Sequence, residues 1–346
     1  MAGIGIVGCG LITKFLLYGL KQAKGNLAAV CDTDISQAQK VADEWNAKVY
    51  TDINQMLTDC RDLKAVIIAA PPLLHYKFAC MAIDAGKHIF CEKPMTISPD
   101  ESLDLVKRVQ ASKLVFQVGY MKRYHPAYRR IKELMEQISP LYSASVRLTV
   151  GCPGWRPDIT PPGVAADSWK WNAALAGGGF LRHSGNHLLD LLQFYFGSPD
   201  SACGKVIVDA KGNEYHINIM LNMKENVRAN LNMNFVSYEK VSPKNTIWDE
   251  HVIVDGANGC LHAHGYDWQG TVPCTLTVQK VGSDTKEYTF DAMEQWTEEF
   301  RMFLNAIEGK KSDAAGVIDG YRINVMLPEI RNLGSKTNSV DFKYEV

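Results

Sequence analysis

Lys93, His183 and His187 are the residues whose types and settings suit proton and charge transfer. Lys93 follows an apolar run, Lys87-His88-Ile89-Phe90-Cys91, in the stretch Glu92-Lys93-Pro94. A lysine at the carboxyl end of a sheet strand, followed by a rigid proline, can aim its ammonium into a ligand crevice. There it can hydrogen-bond a hydroxyl, stabilise an alkoxide and, with its pKa lowered by partial burial, join a proton relay. The residues alone allow equally an exposed Lys93 paired with Glu92. His183 and His187 lie four apart in a stretch, Phe180 to Phe196, that reads as one helix, so both rings share a face one turn apart. An imidazole titrates near neutrality and suits general acid–base work. Paired helical histidines can also bind a metal, but no third ligand stands at motif spacing, so no metal is expected. His183 has a further reading as a hydrogen-bonded polar residue at a domain seam.

The chain begins with a short β-branched run, Gly3-Ile4-Gly5-Ile6-Val7, that leads into Gly8-Cys9-Gly10-Leu11-Ile12-Thr13 and then a helical pattern. A strand, a glycine turn and a helix in that order let the backbone approach a pyrophosphate at a helix N-terminus. Gly8, Gly10, Leu11 and Ile12 are the candidates for that contact. The third glycine of the G-x-G-x-x-G pattern is replaced by Thr13, so a glycine turn in any βα unit is the competing reading. A second strand, Leu27 to Cys31, ends at Asp32, about 20 residues past the glycines, where an acid would accept hydrogen bonds from both ribose hydroxyls. Asp32 would repel a 2′-phosphate, and no Arg or Lys stands in the local turn, which favours NAD over NADP. Its other reading is a cap for the helix starting near Ser36. The triple glycine Gly177-Gly178-Gly179 marks close backbone approach to another group, with the nicotinamide end of the cofactor as the expected neighbour.

With 346 residues, 37 Lys plus Arg and 38 Asp plus Glu, the chain is long enough for two domains and is nearly neutral. Neutrality gives no electrostatic case for nucleic acid or an anionic membrane. No charged segment precedes an apolar leader, and no apolar run is long enough to span a bilayer. Nine scattered cysteines without a C-x-x-C pair read as reduced thiols in the cytoplasm.

Strand and helix patterns alternate up to Gly119, which predicts a doubly wound parallel sheet, an α/β Rossmann domain, over residues 1–122. Apolar runs at 64–70, 87–91 and 114–119 are its later strands. Beyond, long alternating segments at 143–150, 205–209, 215–223, 227–235, 251–254 and 274–281 predict a second domain, 123–346. Its class is α+β with a large, mostly antiparallel open sheet. Ile217, Ile219 and Leu221 would pack one face of it. Trp248, Asp249 and His251 are expected in a loop over the pocket or toward a neighbouring subunit, and His262 and His264 on one face of a surface strand rather than in a metal site.

A strand ending in Cys91-Glu92-Lys93-Pro94, this far beyond a Gly-x-Gly turn, resembles the glucose–fructose oxidoreductase and inositol dehydrogenase family (Gfo/Idh/MocA). Ala69-Ala70-Pro71-Pro72 through His75, Gly119-Tyr120-Met121-Lys122-Arg123-Tyr124-His125-Pro126, Trp169-Lys170, Ala176-Gly177-Gly178-Gly179 and His187 to Leu192 agree with it in order. The resemblance implies an NAD-dependent oxidation of a secondary alcohol in a sugar, glycoside or cyclic polyol. It makes Lys93 catalytic and His187 the general base. It puts Ala70, Pro71, His75, Glu92, Lys93, Arg123 and Lys170 on the cofactor side, and Tyr120 and Arg123 at the pocket. His183 stands where the family usually has Asp; a second imidazole supplies no negative charge and would bind the substrate or share the relay. The loop Gly151 to Gly163, with Trp155 and Arg156, and then Asp167 and Trp169, would wall the substrate, since Trp faces stack on sugars; a stiff surface loop is the competing reading. Its Pro-Gly-Trp resembles members that oxidise position 3 of glucosides, which puts a glycoside ahead of inositol. The resemblance also implies a homodimer or homotetramer through the second sheet. Two alternatives remain: a redox-type glycoside hydrolase of the same superfamily, and a non-catalytic nucleotide- or sugar-sensing regulator.

Overall fold

The computed structural model describes residues 3–153, 178–209 and 211–346. They fall into two units, Met1–Met121 with Trp296–Asn324, and Lys122–Gln295 with Val325–Val346.

The first unit is built on a six-stranded sheet of β1 (Gly3–Val7), β2 (Asn26–Cys31), β3 (Lys48–Tyr50), β4 (Leu63–Ile68), β5 (His88–Cys91) and β6 (Phe116–Val118). The strands are all parallel, in the order β3-β2-β1-β4-β5-β6 of a dinucleotide-binding fold. Helices α1 (Thr13–Gln22), α2 (Ile35–Trp45), α3 (Ile53–Asp59), α4 (His75–Asp84) and α5 (Pro99–Ser112) connect them. Short polar side chains start three of these helices by accepting backbone N–H groups: Asp34 for α2, Asp52 for α3 and Ser98 for α5. The cap of α2 is thus Asp34, and Asp32 has other work.

The opening segment of the first unit stops at Met121, beside the expected boundary at 122, but a later segment, Trp296–Asn324, returns to it. Trp296, Phe300 and Phe303, from the helix Glu294–Ile307, are fully buried in it. Trp296 stacks on Phe15 at 5.2 Å between centroids and Phe300 on Phe90 at 4.8 Å. A Cβ at Gly19 would come within 2.2 Å of the Trp296 carbonyl, so that glycine lets α1 close on the returning segment. Strand β6 also meets this segment, with the Val118 N–H donating to the Ala315 carbonyl.

The second unit carries a nine-stranded sheet in the order β14-β13-β12-β11-β7-β10-β9-β8-β15. Its strands are β7 (Leu141–Gly151), β8 (Ser201–Val208), β9 (Glu214–Asn222), β10 (Arg228–Val236), β11 (Trp248–Gly256), β12 (Gly259–Gly265), β13 (Cys274–Lys280), β14 (Lys286–Phe290) and β15 (Ser339–Asp341). All neighbours are antiparallel except β10 and β7. One face is apolar and buried, through Ile217, Ile219, Leu221, Ala229, Leu231, Met233, Val252 and Val254. The alternate positions are polar, including Asn218, Asn230, Asn232, His251, His262 and His264. Trp248, Asp249 and His251 lie in β11 rather than in a loop: Trp248, Glu250, Val252 and Val254 face inward, and Asp249 and His251 alternate with them. Edge strands β14 and β15 are short and mostly exposed, and so lack the alternation that marks the others. Helix α6 (Pro126–Leu134) enters the unit, and α7 (Asn186–Phe196) follows a π-helical turn, Leu181–Gly185. No helix among the described residues is long and apolar enough to cross a membrane.

Candidate active site

In the first unit the glycine turn and Asp32 meet. The Cys9 N–H donates to Asp32 Oδ2 at 2.7 Å and the Asp34 N–H to Oδ1 at 2.9 Å, so the carboxylate is held at the end of β2 facing the turn. Gly8 has φ +96°, and a Cβ there would sit 2.6 Å from the Ala69 carbonyl; the turn is pressed against the end of β4. At Gly10 a Cβ would meet nothing within 4 Å, which leaves backbone open to a ligand. Thr13, in place of a third glycine, is buried and donates its hydroxyl to the Gly8 carbonyl at 2.9 Å, bracing the turn from inside. The adjoining cleft is lined by Cys9, Gly10, Leu11, Lys14, Asp32 and Gln37. Open backbone, a helix N-terminus and a positioned carboxylate fit a dinucleotide's pyrophosphate and ribose diol. Lys14 and Gln37 escaped the sequence reading; Lys14 follows Thr13 directly, but only the fold brings it to the cleft of Asp32. Burial beside Asp32 pushes the Cys9 thiol up to about 12, so it stays protonated.

The carboxyl ends of β4 and β5 hold the next group. Lys93 is half-buried after β5, and its backbone N–H donates to Glu92 Oε2 at 3.1 Å. Burial pushes the Glu92 carboxyl up to about 7, against the pull of the Lys93 ammonium. A Cβ at Gly119 would lie 2.9 Å from Glu92 Oε1, so that glycine makes room for the carboxyl. His75 is buried, with Nδ1 2.8 Å from the Pro94 carbonyl and Nε2 2.7 Å from the Ala70 carbonyl. Both ring nitrogens face backbone, so His75 braces the Ala70-Pro71 loop to Lys93-Pro94 instead of offering a nitrogen to the cofactor. Burial pushes its pKa down, while the two carbonyls favour its charged form. Tyr120 is fully buried directly after β6, and its expected place on a pocket wall becomes a place in the core.

In the second unit His183 lies in the π-helical turn and His187, buried, in the first turn of α7. The expected single helix is therefore two, and such π turns recur at functional sites. The His183 N–H donates to the Gly179 carbonyl at 2.9 Å, and Asn186 Nδ2 to the Arg182 carbonyl at 2.5 Å. The glycines before it approach β9: a Cβ at Gly179 would lie 2.7 Å from the Glu214 N, and the Gly179 N–H donates to Glu214 Oε2 at 2.6 Å. Among the described residues, Gly178 and Gly179 make their close approach to this strand. Glu214 is buried and accepts from Arg331 Nε at 2.7 Å, a clamp that no motif announces.

Arg123 also changes role. Its Nε and Nη2 donate to Asp190 at 3.1 and 2.5 Å, and both residues are buried. This fork ties the segment before α6 to α7 and moves Arg123 from the cofactor set to the scaffold. Lys122 does the same with Glu250, at 2.7 Å to both oxygens, where Tyr128 and Trp248 also donate. Trp155, Arg156, Asp167, Trp169, Lys170 and Gly177 lie outside the described residues.

Known proteins resemble the chain in both units. A D-glucoside 3-dehydrogenase of Escherichia coli (strain K12) is 30% identical over 178 residues, 50% of this chain and 47% of that protein. An inositol 2-dehydrogenase/D-chiro-inositol 3-dehydrogenase of Lactiplantibacillus plantarum is 31% identical over 138 residues, 38% of this chain and 39% of that protein. The chain spans about half the length, or less, of such curated relatives. The solved structure of a levoglucosan dehydrogenase in complex with NADH and levoglucosan matches 99% of both chains with a TM-score of 0.83 at 19% identity, a likeness of fold. The family model described as an oxidoreductase family with an NAD-binding Rossmann fold matches residues 2–120, and that of the GFO/IDH/MocA C-terminal domain matches residues 144–262. With both domain models matched in chain order over more than half its length, the chain belongs to the GFO/IDH/MocA family of oxidoreductases.

Proposed function

We propose that this protein oxidises a secondary hydroxyl of a sugar, glycoside or cyclic polyol to a ketone with NAD, a glycoside being favoured over inositol. The observation that carries it is Lys93, half-buried beside Glu92 at the carboxyl end of β5. The ends of such strands are where sheets of this order bind ligands. Gly8, Gly10 and the start of α1 would hold the pyrophosphate, and Asp32 the ribose. Bound NAD supplies a hydride acceptor. Lys93 hydrogen-bonds the substrate oxygen and stabilises its negative charge, and His187 takes the hydroxyl proton. His183 binds the substrate or shares the relay. The relatives named for glucoside, inositol and levoglucosan oxidation support this substrate class. The nine free thiols suit a reducing, cytoplasmic compartment, and a second copy on the polar sheet face would give a homodimer or homotetramer.

His183 in place of the usual Asp favours one second reading, a redox hydrolase in which NAD is regenerated within each turnover. Absorbance of reduced nicotinamide, with NAD+ or NADP+ across free sugars, inositols and aryl glycosides, separates the two when aglycone release is read in parallel. NADH growth without aglycone release, abolished in Lys93→Ala and His187→Ala, is the expected result. Aglycone release without net NADH would install the hydrolase. Silence in both channels with NAD bound would leave a regulator.

A further inference from the structure

The polar face of the second unit's sheet holds a cluster that the mechanism does not use. In the antiparallel register of β11 and β12, His251 stands directly opposite His264, and Asp249 precedes His251 by two residues on the same face. The two imidazoles stack with centroids 3.9 Å apart and converge on one carboxylate. His251 Nε2 is 3.2 Å from Asp249 Oδ2, and His264 Nε2 is 2.7 Å from Asp249 Oδ1. One ligand atom from each residue lies within 4.8 Å of the others. In the single chain the side chains of Asp249, His251 and His264 are 6%, 19% and 14% exposed, so the site is largely built.

We infer that Asp249, His251 and His264 form a binding site for a divalent transition metal of the zinc class, with its fourth position open. The donor set, two imidazoles and a carboxylate, is one that zinc takes. With metal–ligand bonds of about 2.0–2.1 Å, the edges of a tetrahedral site are roughly 3.4 Å. The two ring nitrogens stand 3.2 and 2.7 Å from different oxygens of Asp249, and the three ligand atoms lie within 4.8 Å of one another, so a metal would draw them together by side-chain rotation. A second ring completes the arrangement: His262 Nε2 lies 2.9 Å from His251 Nδ1. In the metal-free protein His262 donates to His251, which donates to Asp249. In the metal-bound protein His251 Nδ1–H donates to His262 instead and Nε2 turns its lone pair to the metal, the outer support common to histidine ligands. Metal binding thus needs tautomer changes rather than deprotonation of a cation. The facing cation is Arg147 on β7, its Nη2 3.6 Å from Asp249 Oδ2; its side chain is 52% exposed and swings to solvent when a metal enters. The other charged group on this face of the pair is Asp255 of β11, whose charge favours a cation. In the sequence no third ligand stands beside His183 and His187, and His262 and His264 read as a surface strand; the register of β11 and β12 adds Asp249 and His251 to that strand's face.

The test uses the full chain after dialysis against a chelator. Co2+ titration is expected to give the intense visible bands of tetrahedral cobalt at one equivalent per chain, with Zn2+ displacing it. Folded Asp249→Asn and His264→Asn variants, checked by circular dichroism, lose the bands, His262→Gln binds roughly 10–100-fold more weakly, and His183→Asn keeps them. Should the variants not fold, diethyl pyrocarbonate labelling of the wild-type chain with and without Zn2+, read by mass spectrometry, is expected to show protection of His251 and His264. No tetrahedral bands in the wild-type chain, bands that survive in folded His264→Asn, or protection confined to other histidines would each overturn the site.

Discussion

Replacing Glu214 tests whether the clamp on the glycines positions the catalytic turn. The carboxylate accepts from the Gly179 N–H at 2.6 Å and from Arg331 Nε at 2.7 Å, and its side chain is only 2% exposed. Hydrogen bonds to a charged group are worth about 1.5–3 kcal/mol each. Glu214→Gln keeps the shape and one acceptor, so it should cost about 2 kcal/mol. Glu214→Ala orphans a buried N–H, about 1–3 kcal/mol, and breaks an ion pair. Because Arg331 is 39% exposed and can solvate itself, the total should stay near about 3–4 kcal/mol, short of a fully buried pair. At about 2–4 °C per kcal/mol, the melting temperature should fall by roughly 5 °C and roughly 10 °C respectively. Gly179 also accepts the His183 N–H, so the alanine variant should lose at least about tenfold in kcat, about 1.4 kcal/mol of barrier. Its affinity for NAD, held in the first unit, should not change. Melting curves, steady-state rates and NAD titration read all three. Wild-type kcat in a destabilised variant, or NAD affinity falling in step with kcat, would refute the positioning argument.

Glu92 and Asp32 give two further predictions. The native Glu92 carboxyl keeps its proton up to about pH 7 and the unfolded one only to about 4.3, so the native state binds more protons between those values and stability falls as pH rises through them, by about 4 kcal/mol. Glu92→Gln, always neutral, should match wild type in melts at pH 4.5 and exceed it by about that amount at pH 8; parallel pH profiles would refute a buried, proton-holding carboxyl. Asp32→Ser removes the charge that opposes a 2′-phosphate in a cleft that Lys14 also lines, so NAD binding should weaken about tenfold while NADP binding improves, and an unchanged preference in titrations would put the determinant elsewhere.

What was legible in the sequence is what depends on near neighbours. The Gly8-to-Asp32 unit reads directly, because strand, turn, helix and strand follow one another and each has its own pattern. The second sheet's long strands read from period-two alternation, and β5, which ends just before Glu92 and Lys93, from its apolar run. Roles that depend on distant partners did not read. His75, Tyr120 and Arg123 carry motif positions, but only the fold shows two carbonyls around the first, core around the second and Asp190 on the third. Trp248 to His251 lay hidden as a loop because the inward positions of β11 include the polar Glu250, whose partners Lys122 and Tyr128 are more than a hundred residues away. The π turn left no mark, since an extra residue in a helix disturbs apolar spacing too little to see. The glycines before it predicted close approach correctly, but a glycine does not say to what.

The return of Trp296–Asn324 makes the first unit discontinuous, and this governs how the chain can be made. When a ribosome has delivered residues up to 121, the parallel strands and their helices are complete in sequence, yet Phe15 and Phe90 lack the rings that cover them. The aromatic surface waits until nearly two hundred further residues have emerged. Closing so long a loop carries an entropy cost before its contacts reward it, and exposed aromatic surface in the meantime invites chaperones or aggregation. A fragment cut at residue 121 would inherit that condition permanently. A stable isolated nucleotide domain would need the 296–324 segment joined back to it.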